Sequence, residues 1–204
     1  MTTTDGLKWE GHAVVAQYDP DTIRFIASKT GLDVNVIGDA DHPLSMFDRY
    51  LSGPDRVVDA GHNLLTTVGL ARITSLITGG GLQAMTNAQA LAGVGDTNTG
   101  AVVGNTDLAA ATGSTHRYVM GVDATYPTVA NGLITAYATF TAANGNFAWA
   151  EWALGIATGA ITPGTGSWSS VAATSAVMLN RAVAALGTKV SPAVWTLQST
   201  ITLS

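Results

Sequence analysis

The stretch from Gly132 to Ala157, GLITAYATFTAANGNFAWAEWALGIA, limits the possible folds of this chain more than any other. In its first arm, Ile134, Ala136, Ala138 and Phe140 alternate with Leu133, Thr135, Tyr137, Thr139 and Thr141. A period of two marks a strand with two different faces. Asn144-Gly145 follows, a strong turn signal because both residue types tolerate positive φ. In the second arm, Phe147, Trp149 and Glu151 share one face, and Ala148, Ala150, Trp152 and Leu154 share the other. The pattern predicts a hairpin with Trp149 and Trp152 on opposite sides of one sheet. Large aromatic rings make it an expected main source of core energy. Glu151, between the tryptophans, has the setting of a general acid with a raised pKa. No second carboxylate, histidine or nucleophile stands at a usable spacing. The expectation is therefore a partly exposed strand carboxylate bonded to a neighbouring strand or to an arginine such as Arg181.

The rest of the chain reads as mainly β: a β-sandwich or jelly-roll-like domain, preceded by short helices and an N-terminal arm. The division is drawn by charge and pattern, with residues 1–58 as an attachment arm or subdomain and 59–204 as the β-sandwich. Residues 1–59 hold ten of the 14 acidic groups and five of the nine basic ones. Within the arm, His12–Tyr18 reads as a short strand. A helix over Thr22–Lys29 follows, opened by Asp19-Pro20-Asp21 and stopped by Gly31. Leu32–Ile37 alternates as another strand. Asp41-His42-Pro43 opens a second helix, with Leu44, Phe47, Tyr50 and Leu51 at helical spacing. These elements are too small to bury their own faces. Trp9, Tyr18, Phe25, Phe47 and Tyr50 are therefore candidate partner contacts.

The leading helix of the β part is expected over residues 63–78, capped by Asn63 and stopped by Gly79-Gly80-Gly81. Gly69 inside it suggests close packing. Strands are expected at Leu91–Gly95, Arg117–Tyr126, Ala176–Ala184 and Pro192–Leu203, the last ending the chain inside the sheet. Between them, Thr158–Thr174 is a loop rich in Gly, Ser, Thr and Pro. Its Trp168 either plugs a core edge, the favoured reading, or anchors a partner, so it joins the candidate contacts.

Several functions are argued against. Gly93-Val94-Gly95 resembles half of a dinucleotide fingerprint, but Asp96-Thr97-Asn98-Thr99-Gly100 follows instead of a helix opening. Asp39, Asp41 and His42, with Asp19 and Asp21, lack the register of a calcium loop; turns and caps explain them. His12, His42, His62 and His116 form no zinc-type pair, and Ser114-Thr115-His116 is adjacency rather than a triad. No catalytic residue, cofactor or metal is expected, and the chain is not expected to be an enzyme. With no basic stripe, nucleic-acid binding is not expected. Without an apolar run of ~20 residues or a signal-like start, neither a membrane span nor export is expected. Charged residues make up only 11%, against the ~25% usual in soluble domains, which suits a subunit that lives in an assembly.

A set of short pieces carries a family resemblance: Asn63-Leu64-Leu65-Thr66, Gly93-Val94-Gly95-Asp96 with Asp107-Leu108, Asp123-Ala124-Thr125-Tyr126-Pro127, Phe147-Ala148-Trp149-Ala150-Glu151-Trp152, Met178-Leu179-Asn180-Arg181 and Leu186-Gly187-Thr188-Lys189. In order and spacing, over about two-thirds of the chain, it resembles small virion proteins of tailed bacteriophages, especially those of actinobacteria. The resemblance implies a non-enzymatic structural role in the virion, assembled in the host cytoplasm. Its leading form is a capsid decoration or cement protein bound to the major capsid protein outside the head. The acidic N-terminal part would then lie on the shell and the β domain project outward. The alternative is a tail tip or fibre (minor tail) protein with a host-surface or carbohydrate-binding role, using Trp149, Trp152 or Trp168 as a stacking platform. Both types form homo-oligomers, trimers often among them.

Overall fold

The computed structural model describes residues 9–173 and 175–203. Among these, ten strands form two antiparallel sheets of five, a mainly β architecture consistent with a β-sandwich. The first sheet runs in the order β2 (Arg56–His62), β1 (Trp9–Tyr18), β10 (Val194–Leu203), β7 (Leu133–Phe140), β6 (Thr128–Ala130). The second runs β3 (Leu64–Leu65), β9 (Ala176–Thr188), β8 (Ala148–Ala157), β4 (Ala90–Gly95), β5 (Arg117–Gly121). Alternate residues of both sheets meet in one core. Ala13, Val15, Ala136, Ala138, Phe140, Trp195 and Leu197 come from the first sheet; Ala92, Val94, Trp149, Trp152 and Leu154 come from the second. Trp149 stands edge-on to Phe140 and Trp195, with ring centroids 4.7 and 4.9 Å apart. Such pairs add ~0.5–1.5 kcal/mol beyond the area they bury.

The expected hairpin is not one. Its two arms are strands, but β7 lies between β10 and β6 while β8 lies between β9 and β4. Asn144-Gly145 turns a corner from one sheet to the other. Gly145 has φ 68°, but Asn144 does not adopt positive φ, so the two-residue hairpin turn does not form. That turn occurs at the neighbouring Asn131-Gly132, where φ is 51° and 77° and Ala130 pairs with Leu133 across it. The corner is held instead by side chains. Lys189 Nζ donates to Thr141 O at 2.7 Å and to Asn146 Oδ1 at 2.9 Å, and Trp149 Nε1 donates to Gly145 O at 2.8 Å.

Trp149 and Trp152 also share a face, contrary to strict alternation. The pairing of β8 with β9 shifts register between Trp149 and Glu151. A bulge adds a residue and resets the side-chain parity. Both rings therefore enter the main core, and Glu151 and Ala153 turn to the outer face of the second sheet.

The first sheet also reaches across the boundary drawn at residue 58. β1 pairs with β10 from Trp9↔Leu203 to Tyr18↔Val194 and with β2 on its other side. It is an interior strand, so the described residues of this part, 9–58, are not separate from the sandwich. Only the excursion between β1 and β2 stands apart. It carries α1 (Pro20–Thr30), closed by Gly31 donating to Ala27 O, and a 3-10 turn over Leu44–Phe47. Ile23, Ile26, Ile37, Leu44 and Phe47 form a small core with Val194 of β10. The strand expected at 32–37 is a series of turns. The Asp33 carboxylate accepts from the Asn35 amide at 2.8 Å, and this local bond competes with extended pairing.

The helix expected over 63–78 is shorter. Asn63 is occupied by Trp9, whose Nε1 donates to its Oδ1 at 3.0 Å, and Leu64–Leu65 pair with Arg181 and Asn180. Thr66 is the cap of α2 (Thr67–Ile77): its hydroxyl accepts from Gly69 N at 2.9 Å and donates to Met178 O at 2.6 Å. Gly69 does pack closely, since a Cβ there would lie 2.4 Å from Leu179 O.

Candidate functional site

Glu151 is the residue with most chemical potential, and it is fully buried rather than partly exposed. Its Oε2 accepts from Arg181 Nε at 2.5 Å and from Ala109 N at 3.1 Å; its Oε1 accepts from Ala110 N at 2.7 Å. Arg181 donates onward to Asn105 Oδ1 and Thr99 O. A second clamp lies beside it. Arg117 donates to Asp107 Oδ1 at 2.7 Å, to Leu108 O at 2.9 Å and to Ala110 O, and the same Asp107 oxygen accepts from Trp168 N at 3.0 Å. Two arginines and two carboxylates thus fasten the loop between β4 and β5 over the outer face of the second sheet. With partners on both oxygens, Glu151 is built as a structural anchor.

The glycines that looked like half a nucleotide motif serve this layer. A Cβ at Gly93 would lie 2.5 Å from the Trp168 ring, and one at Gly95 would lie 2.3 Å from Glu151 Oε1. Trp168 is wholly buried against Leu91, Leu108, Ala153 and Val171, so it plugs the second sheet and is not a partner contact.

The other candidate contacts divide. Phe47 is buried in the small core and is likewise unavailable. Trp9 is half-buried and tied to Asn63. Tyr18 is half-buried against the small core, and burial, with Asp48 and Asp55 nearby, pushes its hydroxyl pKa up. Phe25 and Tyr50 come together. They line a shallow groove of about 310 Å³ with Asp21, Thr22, Leu51, Ser52, Gly53 and Asp55. Phe25 is 46% exposed. Arg49 lies over the Tyr50 ring and Lys29 over the Phe25 ring, at 4.7 and 5.4 Å. Asp55 also closes the excursion, accepting from Asp19 N at 2.7 Å and Thr22 Oγ1 at 2.9 Å. The groove is lined by two aromatic residues, hydroxyls and carboxylates, a mixed surface with apolar area and hydrogen-bond acceptors.

Three of the four histidines meet a carboxylate. His12 Nε2 meets Asp59 Oδ1 at 2.8 Å, His42 Nδ1 meets Asp39 Oδ1 at 3.2 Å, and His116 Nδ1 meets Asp96 Oδ2 at 2.6 Å. The Gly61 amide, and then His12, hold the Asp59 carboxyl below its usual range. Asp39 accepts from the Asp41 and His42 amides, as expected of turn residues. Among the described residues, no group of three or more His, Asp or Glu is placed to hold a metal.

One feature escaped sequence reasoning. All four cations after residue 60, Arg72, Arg117, Arg181 and Lys189, are buried. The carboxylates there are buried or half-buried: Glu151 and Asp107 hold arginines, Asp96 a histidine, and Asp123 accepts from Thr139 N and Oγ1. Among the described residues of 60–203, no Lys, Arg, Asp or Glu is fully exposed. Nearly every exposed charge belongs to residues 9–59, where only Asp39 is half-buried. Composition showed how few charges there are; only the pairing shows that those in the β part point inward.

Comparison with known family models, curated proteins and solved structures gives no match.

Proposed function

We propose that this protein is a non-enzymatic structural subunit of a bacteriophage particle, with decoration of the outside of the head as its leading form. The observation that carries the assembly part of this reading is the charge-poor surface of residues 60–203, where the carboxylates are buried or half-buried and the cations buried. That surface also exposes Leu70, Ile77, Leu82, Val102, Val103, Val129 and Val190. Neutral surfaces with exposed aliphatic groups give poor solubility alone and bury cheaply against a partner. The particle itself is implied by the resemblance of the pieces between Asn63 and Lys189. With β1 inside the sheet, attachment through a separable arm is dropped from this reading. The neutral face makes the contact, and the acidic excursion faces solvent.

The second reading, a tail-tip protein that touches host-surface sugar, is favoured by the groove between Phe25 and Tyr50. Trp149, Trp152 and Trp168 are buried and cannot supply a stacking platform. Labelling purified particles with antibody against the protein, with copy number by gel densitometry, separates the two. Hundreds of copies over the head support decoration. A few copies at the tail tip support the second reading, and absence from the particle overturns both.

A further inference from the structure

We infer that Asn131, at the tip of the β6–β7 hairpin, is a site of spontaneous deamidation, and that the fold protects Asn144 in the other Asn-Gly step. These are the two places in the sequence where an asparagine precedes a glycine. Glycine at the second position leaves the main-chain amide nitrogen unhindered, so it can reach the side-chain carbonyl carbon. The Gly132 nitrogen loses its proton and attacks Asn131 Cγ, closing a succinimide ring. The Cγ–Nδ2 bond breaks, and Nδ2 leaves with that proton as ammonia. Water then opens the ring at either carbonyl, which leaves aspartate or isoaspartate at position 131. No reactant beyond water is needed.

What separates the two steps is how tightly the main chain around each is held. Asn131 and Gly132 are both exposed. They follow β6, whose three residues are all exposed and which lies at the edge of the first sheet. The tip is tied to β10 by a long bond, from Leu203 N to Gly132 O at 3.4 Å. Gly145, by contrast, is buried, and a Cβ there would lie 3.3 Å from the Trp149 ring and 3.4 Å from the Phe140 ring. Its carbonyl accepts from Trp149 Nε1 at 2.8 Å and from Phe147 N at 3.0 Å. Asn144 N donates to Thr141 O at 3.1 Å, and Asn144 Nδ2 donates to Thr141 Oγ1 at 3.2 Å. Turning the Asn144 side chain toward Gly145 N breaks these bonds and lifts the glycine off two rings. The reactive geometry is therefore reached there only by opening the corner. Either product at position 131 adds a fully exposed carboxylate to residues 60–203, whose described residues otherwise show none. Isoaspartate also adds a methylene to the main chain of a two-residue turn, which loosens the pairing of Ala130 with Leu133. The inference concerns the isolated chain and stands whether or not the particle reading holds.

Incubation of the full folded chain in mildly alkaline buffer, with peptide mapping by mass spectrometry, tests this. Position 131 is expected to convert faster than position 144 by about tenfold or more, because the second must wait for the corner to open. Enzymatic methylation of isoaspartate should label the peptide that contains position 131. Isoelectric focusing should show a new form one unit more negative than the parent's net charge of -5. In concentrated urea, where both steps are unfolded, the two positions should convert at similar rates. Equal conversion in the folded chain, or faster conversion at 144, overturns the proposal. So does a folded chain left unmodified at 131 over a time in which the urea-treated chain reacts, or a rate ratio that urea does not change.

Discussion

The excursion between β1 and β2 and the second sheet both contain arginine–carboxylate pairs, put to opposite uses. Arg24 and Asp21 meet at 2.9 Å with side chains 58% and 97% exposed. Arg181 and Glu151 meet at 2.5 Å with neither exposed. The first pair is a solvated decoration of α1, of a kind usually worth ~0–1 kcal/mol. The second is committed to the fold, because removing one partner strands the other in a fully buried site. The contrast extends to the whole chain: residues 9–59 spend their charge on the surface, and residues 60–203 keep theirs as internal fasteners. Net charge alone hides this division, since the β part sums to neutral whether its charges point in or out.

The comparison can be broken most severely at β1. Although most of the exposed charge lies before residue 60, β1 belongs to the neutral sandwich and is bonded on both sides. Deleting residues 1–58 should abolish the cooperative urea transition. A truncated chain that still melts cooperatively would show that the sandwich closes without its interior strand.

Next in size are the buried groups. Glu151→Ala should destabilise by ~3–5 kcal/mol in urea titrations, because Arg181 loses its counter-charge and the Ala109 and Ala110 amides lose their acceptor. Arg24→Ala should stay within ~0.5 kcal/mol of the parent. Similar losses for the two would erase the distinction between the regions. Trp168→Ala should also cost ~3–5 kcal/mol, by emptying a ring-sized space over Gly93 and Gly155. Phe25→Ala, on the groove rim, should cost far less.

The corner lysine gives a smaller test with a defined sign. Burial lowers the Lys189 pKa from 10.5 to about 7. Below about 7 both folded and unfolded chains carry the proton, and the buried charge weighs fully against the fold. Between about 7 and 10.5 the unfolded chain binds more protons, so this group makes stability rise with pH across that window. Lys189→Met should flatten that part of the profile. A parent whose stability falls there to the same extent as the variant's would show that the lysine is not desolvated.

Much of this was legible from residue patterns. The strands at 133–140, 148–157 and 194–203, the Gly31 stop of α1 and the Arg181 partner of Glu151 all follow from periodicity and type. Pairing was not legible. Two Asn-Gly steps, at 131–132 and 144–145, look alike in sequence, yet one closes a hairpin and the other joins two sheets. At the second step Lys189 reaches the corner from 43 or more residues away, a contact that local sequence does not announce. The bulge beside Ala150 likewise leaves no mark on composition, though it decides which way both tryptophans face. Of the proposed contacts, Phe25 and Tyr50 meet at one groove because a 3-10 turn, absent from a helix-periodic reading, folds back on α1. Phe47 and Trp168 look no different from them until the loops above are closed.

The account rests on the neutral face being the one that assembles. Hydroxyl-radical footprinting of the chain, free and in the purified particle, tests this most directly. The account predicts that Leu70, Ile77, Val102 and Val103 lose reactivity on assembly while Phe25, Met46 and Tyr50 keep theirs. Protection of the acidic excursion, with α2 remaining reactive, would contradict it.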